Sequence, residues 1–164
     1  METDNRFRFR AWVPVFYYDE DGCEHETMMC IDNVAVYSDG AIGCSENDLD
    51  SAVINLELSE SEEQSVRDYI EANFSTESDL WYFFDISTAI KEQCTGLSDK
   101  IGNLIYEGDI VKCDRDFRPD GRVGLTRQVV WEDSAFMLAA NGDSYYLGGF
   151  HNIEIIGNIH EHKE

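Results

Sequence analysis

The stretch Gln93–Lys112, QCTGLSDKIGNLIYEGDIVK, decides the reading of this chain. Ser98–Asn103 is a polar turn, Leu104 and Ile105 open an apolar run, and Glu107-Gly108-Asp109 makes a tight elbow. Gly102 and Gly108 suit backbone positions with positive φ, which a residue without Cβ adopts at no steric cost. Asp109 is suited to accept a local backbone hydrogen bond that holds the elbow. Ile110-Val111-Lys112-Cys113 then leaves as a strand, with Ile110 expected to face the core.

Downstream, Arg115–Gly121 is a loop carrying Pro119-Asp120-Gly121. Arg122–Trp131, Ala135–Ala139, Ser144–Leu147 and Ile153–Ile159 are short and rich in β-formers. Glu132-Asp133-Ser134 and Asn141-Gly142-Asp143 supply hairpin turns between them. Short strands at this spacing predict a small curved sheet or an SH3-like barrel.

Upstream, Phe7, Phe9 and Ala11 fall on one side of a strand over residues 7–18, with Arg6, Arg8 and Arg10 on the other. Pro14 is expected to bend or interrupt it. Asp19-Glu20-Asp21-Gly22 is a turn, residues 27–37 a second strand, Ser38-Asp39-Gly40 a turn and residues 41–44 a short return strand. Ser45–Ser51 reads as a polar loop, and residues 52–58, AVINLEL, alternate as a strand would. Then the period changes. Ser59 stands three residues before Glu62, a capping-box spacing, and Val66, Tyr69, Ile70 and Phe74 recur at helical intervals. A helix over about 60–73 is predicted, its early acids favoured by the helix dipole. Residues 80–86 read as a buried aromatic strand, with a helix as the alternative, and Ser87–Glu92 as one helical turn. The expected class is α+β, mainly β, with one amphipathic helix. The expected organisation is an acidic N-terminal region over 1–92 and a C-terminal small β-barrel over 93–164, or one continuous domain.

Composition narrows the function. The 164 residues include 43% hydrophobic and 12% aromatic side chains, enough for a packed core. No run of eighteen apolar residues occurs, and the start METDNRFRFRAW has no apolar signal region, so a cytoplasmic protein is expected. Five cysteines, an odd number without a Cys-x-x-Cys pair, point to reduced thiols. The net charge of −22 is uneven: residues 1–90 hold 21 acids against 4 basic residues, a net −17, and residues 91–164 hold 13 against 8, a net −5. Such a field repels nucleic acid and anionic membranes and favours basic partners. The arginine groups Arg6-Arg8-Arg10 and Arg115-Arg118-Arg122-Arg127 do not offset it.

Motifs of chemistry are sparse. Cys23-x-His25 and His160-x-His162 are the close ligand pairs, and neither has the spacing of a structural zinc site; the terminal HEHKE reads as a frayed polar tail. Asp114-x-Asp116 with Asp120-Gly121 lacks the spacing and closing glutamate of a calcium loop. There is no Gly-x-Ser-x-Gly, no phosphate loop and no cysteine in a catalytic context. No catalytic, cofactor-binding or metal-binding residue is assigned.

Gln93–Lys112 resembles the signature of the YopX family of phages and prophages. The likeness lies in Gly96, Asp99-Lys100, Gly102 and Ile105-Tyr106-Glu107-Gly108-Asp109-Ile110-Val111. Phe9-Arg10-Ala11-Trp12 and Ile153-Glu154-Ile155-Ile156-Gly157-Asn158-Ile159 support it. Ile101 departs from the family's polar turn residue, so that turn is expected to pack against something. Residues of about 19–92 show no motif of the family and read as a specialised surface on a shared scaffold. The resemblance implies a phage protein in a bacterial cytoplasm and supplies no reaction. The expected function is therefore a non-enzymatic accessory protein that binds a basic host or phage protein through Asp19, Glu20, Asp21, Glu60, Glu62, Glu63, Asp68 and Glu71. In its sharper form this is a nucleic-acid mimic that blocks a host defence or nucleic-acid-binding protein. The competing expectation is a small hydrolase-like enzyme whose site is assembled in space. The plain alternative is charge that serves solubility alone.

Overall fold

The structure, a computed structural model, describes residues 8–37, 42–78, 81–84, 89–115 and 122–161. These divide into two compact units, residues 8–91 and 92–161. Strands dominate both, and the described residues include two α-helices where a single one was expected.

The first unit opens with a hairpin of β1 (Phe9–Tyr18) and β2 (Glu24–Val36). Its turn is held by Asp19, whose Oδ1 accepts the N–H of Asp21 at 3.0 Å and of Cys23 at 2.8 Å. Pro14 does not interrupt β1: it pairs opposite Met28 with the register unbroken from Ala11 to Tyr18. A proline φ fits an extended strand, and its missing N–H costs at most one ladder bond. A register shift falls between Phe9 and Ala11. Arg10 is buried, its guanidinium 5.8 Å from the centre of the Trp12 ring. Residues 1–7, including Arg6 and Phe7, lie outside the described residues.

β3 (Ile42–Ser45) pairs with β2 and leads directly into α1 (Glu46–Ile54). This corrects two expectations, the polar loop at 45–51 and the strand at 52–58. Ser45 caps the helix, its Oγ accepting the Asp48 N–H at 3.2 Å. Leu49, Ala52 and Val53, at helical spacing, enter the core, while Ile54 is 60% exposed. The alternation in AVINLEL is too short to outweigh a capped helix that begins upstream. α2 (Glu60–Asn73) matches the predicted span, with Val66 and Ile70 inward. β4 (Ser75–Ser78) and β5 (Trp81–Phe84) complete a strand order of β4-β5-β3-β2-β1. β5 falls within the predicted aromatic strand; residues 79–80 and 85–88 lie outside the described residues, as does the turn at 38–41. The core gathers Ala11, Val13, Val15, Met29 and Ile31 against Leu49, Val53, Val66 and Ile70.

β6 (Ile90–Ser98) leads into the second unit, so the helical turn expected to reach Glu92 is strand from Ile90 onward. β7 (Leu104–Tyr106) pairs with it antiparallel. β8 (Asp109–Arg115), β9 (Arg122–Glu132), β10 (Ala135–Ala140), β11 (Asp143–Tyr146) and β12 (His151–Asn158) follow; the expected strand end at Leu147 is a 3-10 turn. Their order is β11-β10-β9-β8-β12. β11 and β12 stand at the two ends of the order and do not pair with each other among the described residues, so a closed barrel is not found. Val111 and Cys113, not Ile110, face the core, because Asp109 takes the first inward position and side chains alternate from there. The turn at 98–103 is joined to β12, the Lys100 N–H donating to the Ile153 carbonyl at 2.7 Å, while Ile101 itself is 75% exposed. Most of the 115–121 loop lies outside the described residues.

Candidate functional site

The acids named from sequence fall on two elements of the first unit, and the fold brings two of them together. Glu62 Oε2 accepts the N–H of Ser59 at 2.9 Å and its hydroxyl at 2.6 Å, closing the capping box of α2. Those bonds, the hydroxyl's first, hold its carboxyl below the usual range. Asp19 is likewise lowered, first by its bond with His25 (Nε2 to Oδ2, 2.8 Å) and then by the Cys23 N–H. Tyr17 stacks on His25 at 5.4 Å between ring centres. Burial raises the Tyr17 phenol, and the charges of Glu62 and Asp19 raise it further. The hairpin turn and the first turn of α2 therefore form one negative neighbourhood. The Tyr18 N–H, donating to Ser65 Oγ at 2.8 Å, fastens them together.

The other named acids have different settings. Glu20 and Asp21 are exposed on the turn. At about 100° per residue, Glu60, Asp68 and Glu71 lie on the outward side of α2, and all three are exposed. Asp68 Oδ1 accepts from Gln64 Nε2 at 2.9 Å. Glu63 is half-buried. Arg67 pairs with Asp50 of α1. Asp19 and Glu62 thus help to build local structure, whereas Glu20, Asp21, Glu60 and Glu71 project from it.

Sequence reasoning missed a groove between the end of the β1–β2 hairpin and α2. It has a volume of about 520 Å³ and is lined by Phe16, Tyr18 and Tyr69, with Glu24, Asp68 and Asn73 around them. Phe16 and Tyr69 stand 5.5 Å apart, tilted at 55°. The Tyr18 hydroxyl donates to Glu24 Oε2 at 2.9 Å, which raises the Tyr18 phenol. Asn73 Nδ2 donates to the Tyr69 carbonyl at 2.8 Å. Tyr69 had been read only as a core position on the helix. Its partners lie about fifty residues away in β1, and no local pattern connects them.

The second unit holds a buried polar cluster around the Gly108 elbow. Glu92, Asp109 and Asn158 are 2%, 1% and 3% exposed. Asn158 Nδ2 donates to Glu92 Oε1 and Oε2 at 3.1 and 3.2 Å and to Asp109 Oδ1 at 3.4 Å. Asp109 Oδ2 accepts the Tyr106 N–H at 2.8 Å, the local bond expected of it. Asn158 Oδ1 accepts the His160 N–H at 2.9 Å, and His160 Nε2 lies 3.5 Å from Glu92 Oε1. The terminal segment is therefore anchored as far as His160 and Glu161, not frayed there; residues 162–164 lie outside the described residues. Buried carboxylates with such bonding brace the backbone.

A second concavity, of about 470 Å³, is lined by Lys100, Lys112, Cys113, Asp114, Asn152 and Glu154. Its groups engage one another. Lys100 Nζ pairs with Glu154 at 2.7 Å, and Asp114 accepts from Asn152 Nδ2 at 2.9 Å and from the Gly124 N–H at 2.7 Å. Those two bonds lower the Asp114 carboxyl, the one from Asn152 most. Burial pushes the Cys113 thiol up to about 11 and the Cys44 thiol up to about 12. Among the described residues no group of three or more His, Cys, Asp or Glu side chains is placed to hold a metal ion. No helix among them is long and apolar enough to cross a membrane.

The family model described as YopX protein matches residues 24–164, and the chain belongs to the YopX family. A search of curated proteins finds no match. The match begins at Glu24 and so extends through most of residues 19–92, where the sequence alone aligned little with the family. Family membership suggests a phage-type protein.

Proposed function

We propose that this is a non-enzymatic phage accessory protein that binds a basic protein partner through the acidic surface of residues 8–91. Its sharper form is mimicry of nucleic acid toward a host defence or nucleic-acid-binding protein. The observation that carries the reading is the charge asymmetry: a net −17 over residues 1–90 against −5 over the rest. Its support comes from Glu20, Asp21, Glu60 and Glu71, which are exposed on adjoining elements. Carboxylates so arrayed attract a basic surface at long range and replace the phosphates it would otherwise meet.

A hydrolase-like site is the competing reading. It would need a reactive group in a concavity. Around the 470 Å³ concavity Lys100 is paired with Glu154 and Asp114 with Asn152, and the thiol, Cys113, has a raised pKa. That favours the binding reading.

The test is capture from bacterial lysate by the wild type and by a variant carrying Glu60→Gln, Glu63→Gln, Asp68→Asn and Glu71→Gln. Glu62 stays because it caps α2. Basic proteins should be captured at low salt and lost at 1 M salt, where the Debye length falls to about 3 Å. Duplex DNA should displace them, and the variant should hold them weakly. Capture indifferent to salt and to the substitutions would overturn the proposal.

A further inference from the structure

We infer that the groove of Phe16, Tyr18 and Tyr69 receives an arginine side chain from a basic segment of the partner protein. This deepens the binding reading above and rests on it. The groove combines two features that select a cation. Aromatic rings line it, and ring faces attract a guanidinium electrostatically. Two carboxylates, Glu24 from β2 and Asp68 from α2, stand among those rings. A planar guanidinium can stack on a ring while its N–H groups reach carboxylate oxygens, which a lysine ammonium cannot do with the same geometry.

The surroundings fit the same occupant. The groove lies in the unit of residues 8–91, which holds 19 acids against 4 basic residues, a net −15, so a cationic segment is steered toward it. The walls are held in place before anything binds. Tyr18 is anchored through its N–H to Ser65 and through its hydroxyl to Glu24. Tyr69 packs on Phe16, and Asp68 is oriented by Gln64. Preorganised walls reduce the ordering cost of binding. An acidic or purely apolar segment would bring the Glu24 and Asp68 charges out of water with only the neutral donors of Tyr18 and Gln64 to compensate them.

The experiment uses the full chain and two labelled probes, a tetra-arginine peptide and a tetra-lysine peptide, with fluorescence anisotropy at 0.15 M salt. Two variants remove equal charge: Glu24→Gln with Asp68→Asn in the groove, and Glu60→Gln with Glu71→Gln outside it. The wild type should prefer the arginine peptide. The groove pair should weaken its binding by about tenfold, and the outer pair by less than about threefold. Tyr69→Leu should abolish the preference for arginine over lysine. Should Tyr69→Leu fail to fold in a thermal melt, the two charge pairs and the wild-type preference still decide. Equal weakening by both pairs, or no preference in the wild type, overturns the groove while leaving the broader acidic-surface reading in place. Absence of binding to either peptide at any salt concentration overturns both.

Discussion

Substituting Gly108 by alanine tests whether the elbow is shaped by its backbone angle or by what lies behind it. Gly108 has φ +84°, and an added Cβ would sit 1.8 Å from Glu92 Oε1, 2.9 Å from Glu92 Cδ and 3.1 Å from Asn158 Nδ2. Its backbone is engaged on both sides, the N–H donating to Val129 O at 2.9 Å and the carbonyl accepting from Ile159 N at 3.1 Å. The elbow cannot retreat without breaking those bonds, so Glu92 must move. Gly142 provides a control, because it has the same φ of +84° and nothing within 4 Å of its added Cβ. Gly142→Ala carries the left-handed backbone cost alone, about 1–2 kcal/mol. Gly108→Ala adds the displacement of a buried carboxylate from Asn158, and a hydrogen bond to a charged group contributes about 1.5–3 kcal/mol. The expected losses are about 1.5 kcal/mol for Gly142→Ala and about 3–4 kcal/mol for Gly108→Ala. Urea denaturation followed by circular dichroism measures both. A double-mutant cycle locates the difference: in a Glu92→Ala background, Gly108→Ala should cost about as much as Gly142→Ala. Equal losses for the two single glycine variants would mean that Glu92 swings aside freely. The account of the elbow would then fail.

Two further outcomes are expected. All five cysteines are free; Cys23, exposed, should react with a thiol reagent first, while Cys44 and Cys113, buried and raised to about 12 and 11, should react only as the protein unfolds. Time-resolved thiol titration checks this, and native-state labelling of Cys44 or Cys113 as fast as Cys23 would contradict it. Asp99 is 8% exposed, and burial acts to raise its carboxyl, yet the N–H groups of Asn103 and Ile101, at 2.9 and 3.0 Å, prevail and lower it below the ordinary 3.8. A folded pKa below the unfolded one stabilises above the unfolded value and loses that contribution as pH falls through the folded value. The stability gap between wild type and Asp99→Asn should therefore be full at pH 6 and shrink below about pH 4; a gap independent of pH would refute the assignment.

What the sequence disclosed, and what it withheld, follows from how far apart the interacting residues lie. The α2 helix was legible because its cap, Ser59 with Glu62, and its inward residues, Val66 and Ile70, sit within one local pattern. The hairpin turns and the Gly108 elbow were legible for the same reason. α1 was not: its cap at Ser45 opens a polar segment, and its apolar end mimics a strand until Leu49, Ala52 and Val53 are seen packing on the core of the first unit. Glu92 and Asn158 are 66 positions apart, so no spacing announces their bond. The one hint was the glycine at 108: its φ of +84° accounts for part of that need, and Glu92 lying against it accounts for the rest. The residues that carry the family signature thus serve the elbow. Asp109 holds Tyr106, Gly108 makes room for Glu92, and Asn158 joins Glu92 to Asp109. The polar groups of Glu92, Asp109 and Asn158 are turned to one another and away from solvent, so these residues brace the second unit. The acids of the first unit differ in kind. Several are exposed, and the groove beside them is lined by Phe16, Tyr18 and Tyr69. The binding proposed above is therefore sought in that unit, most of which the family match also covers.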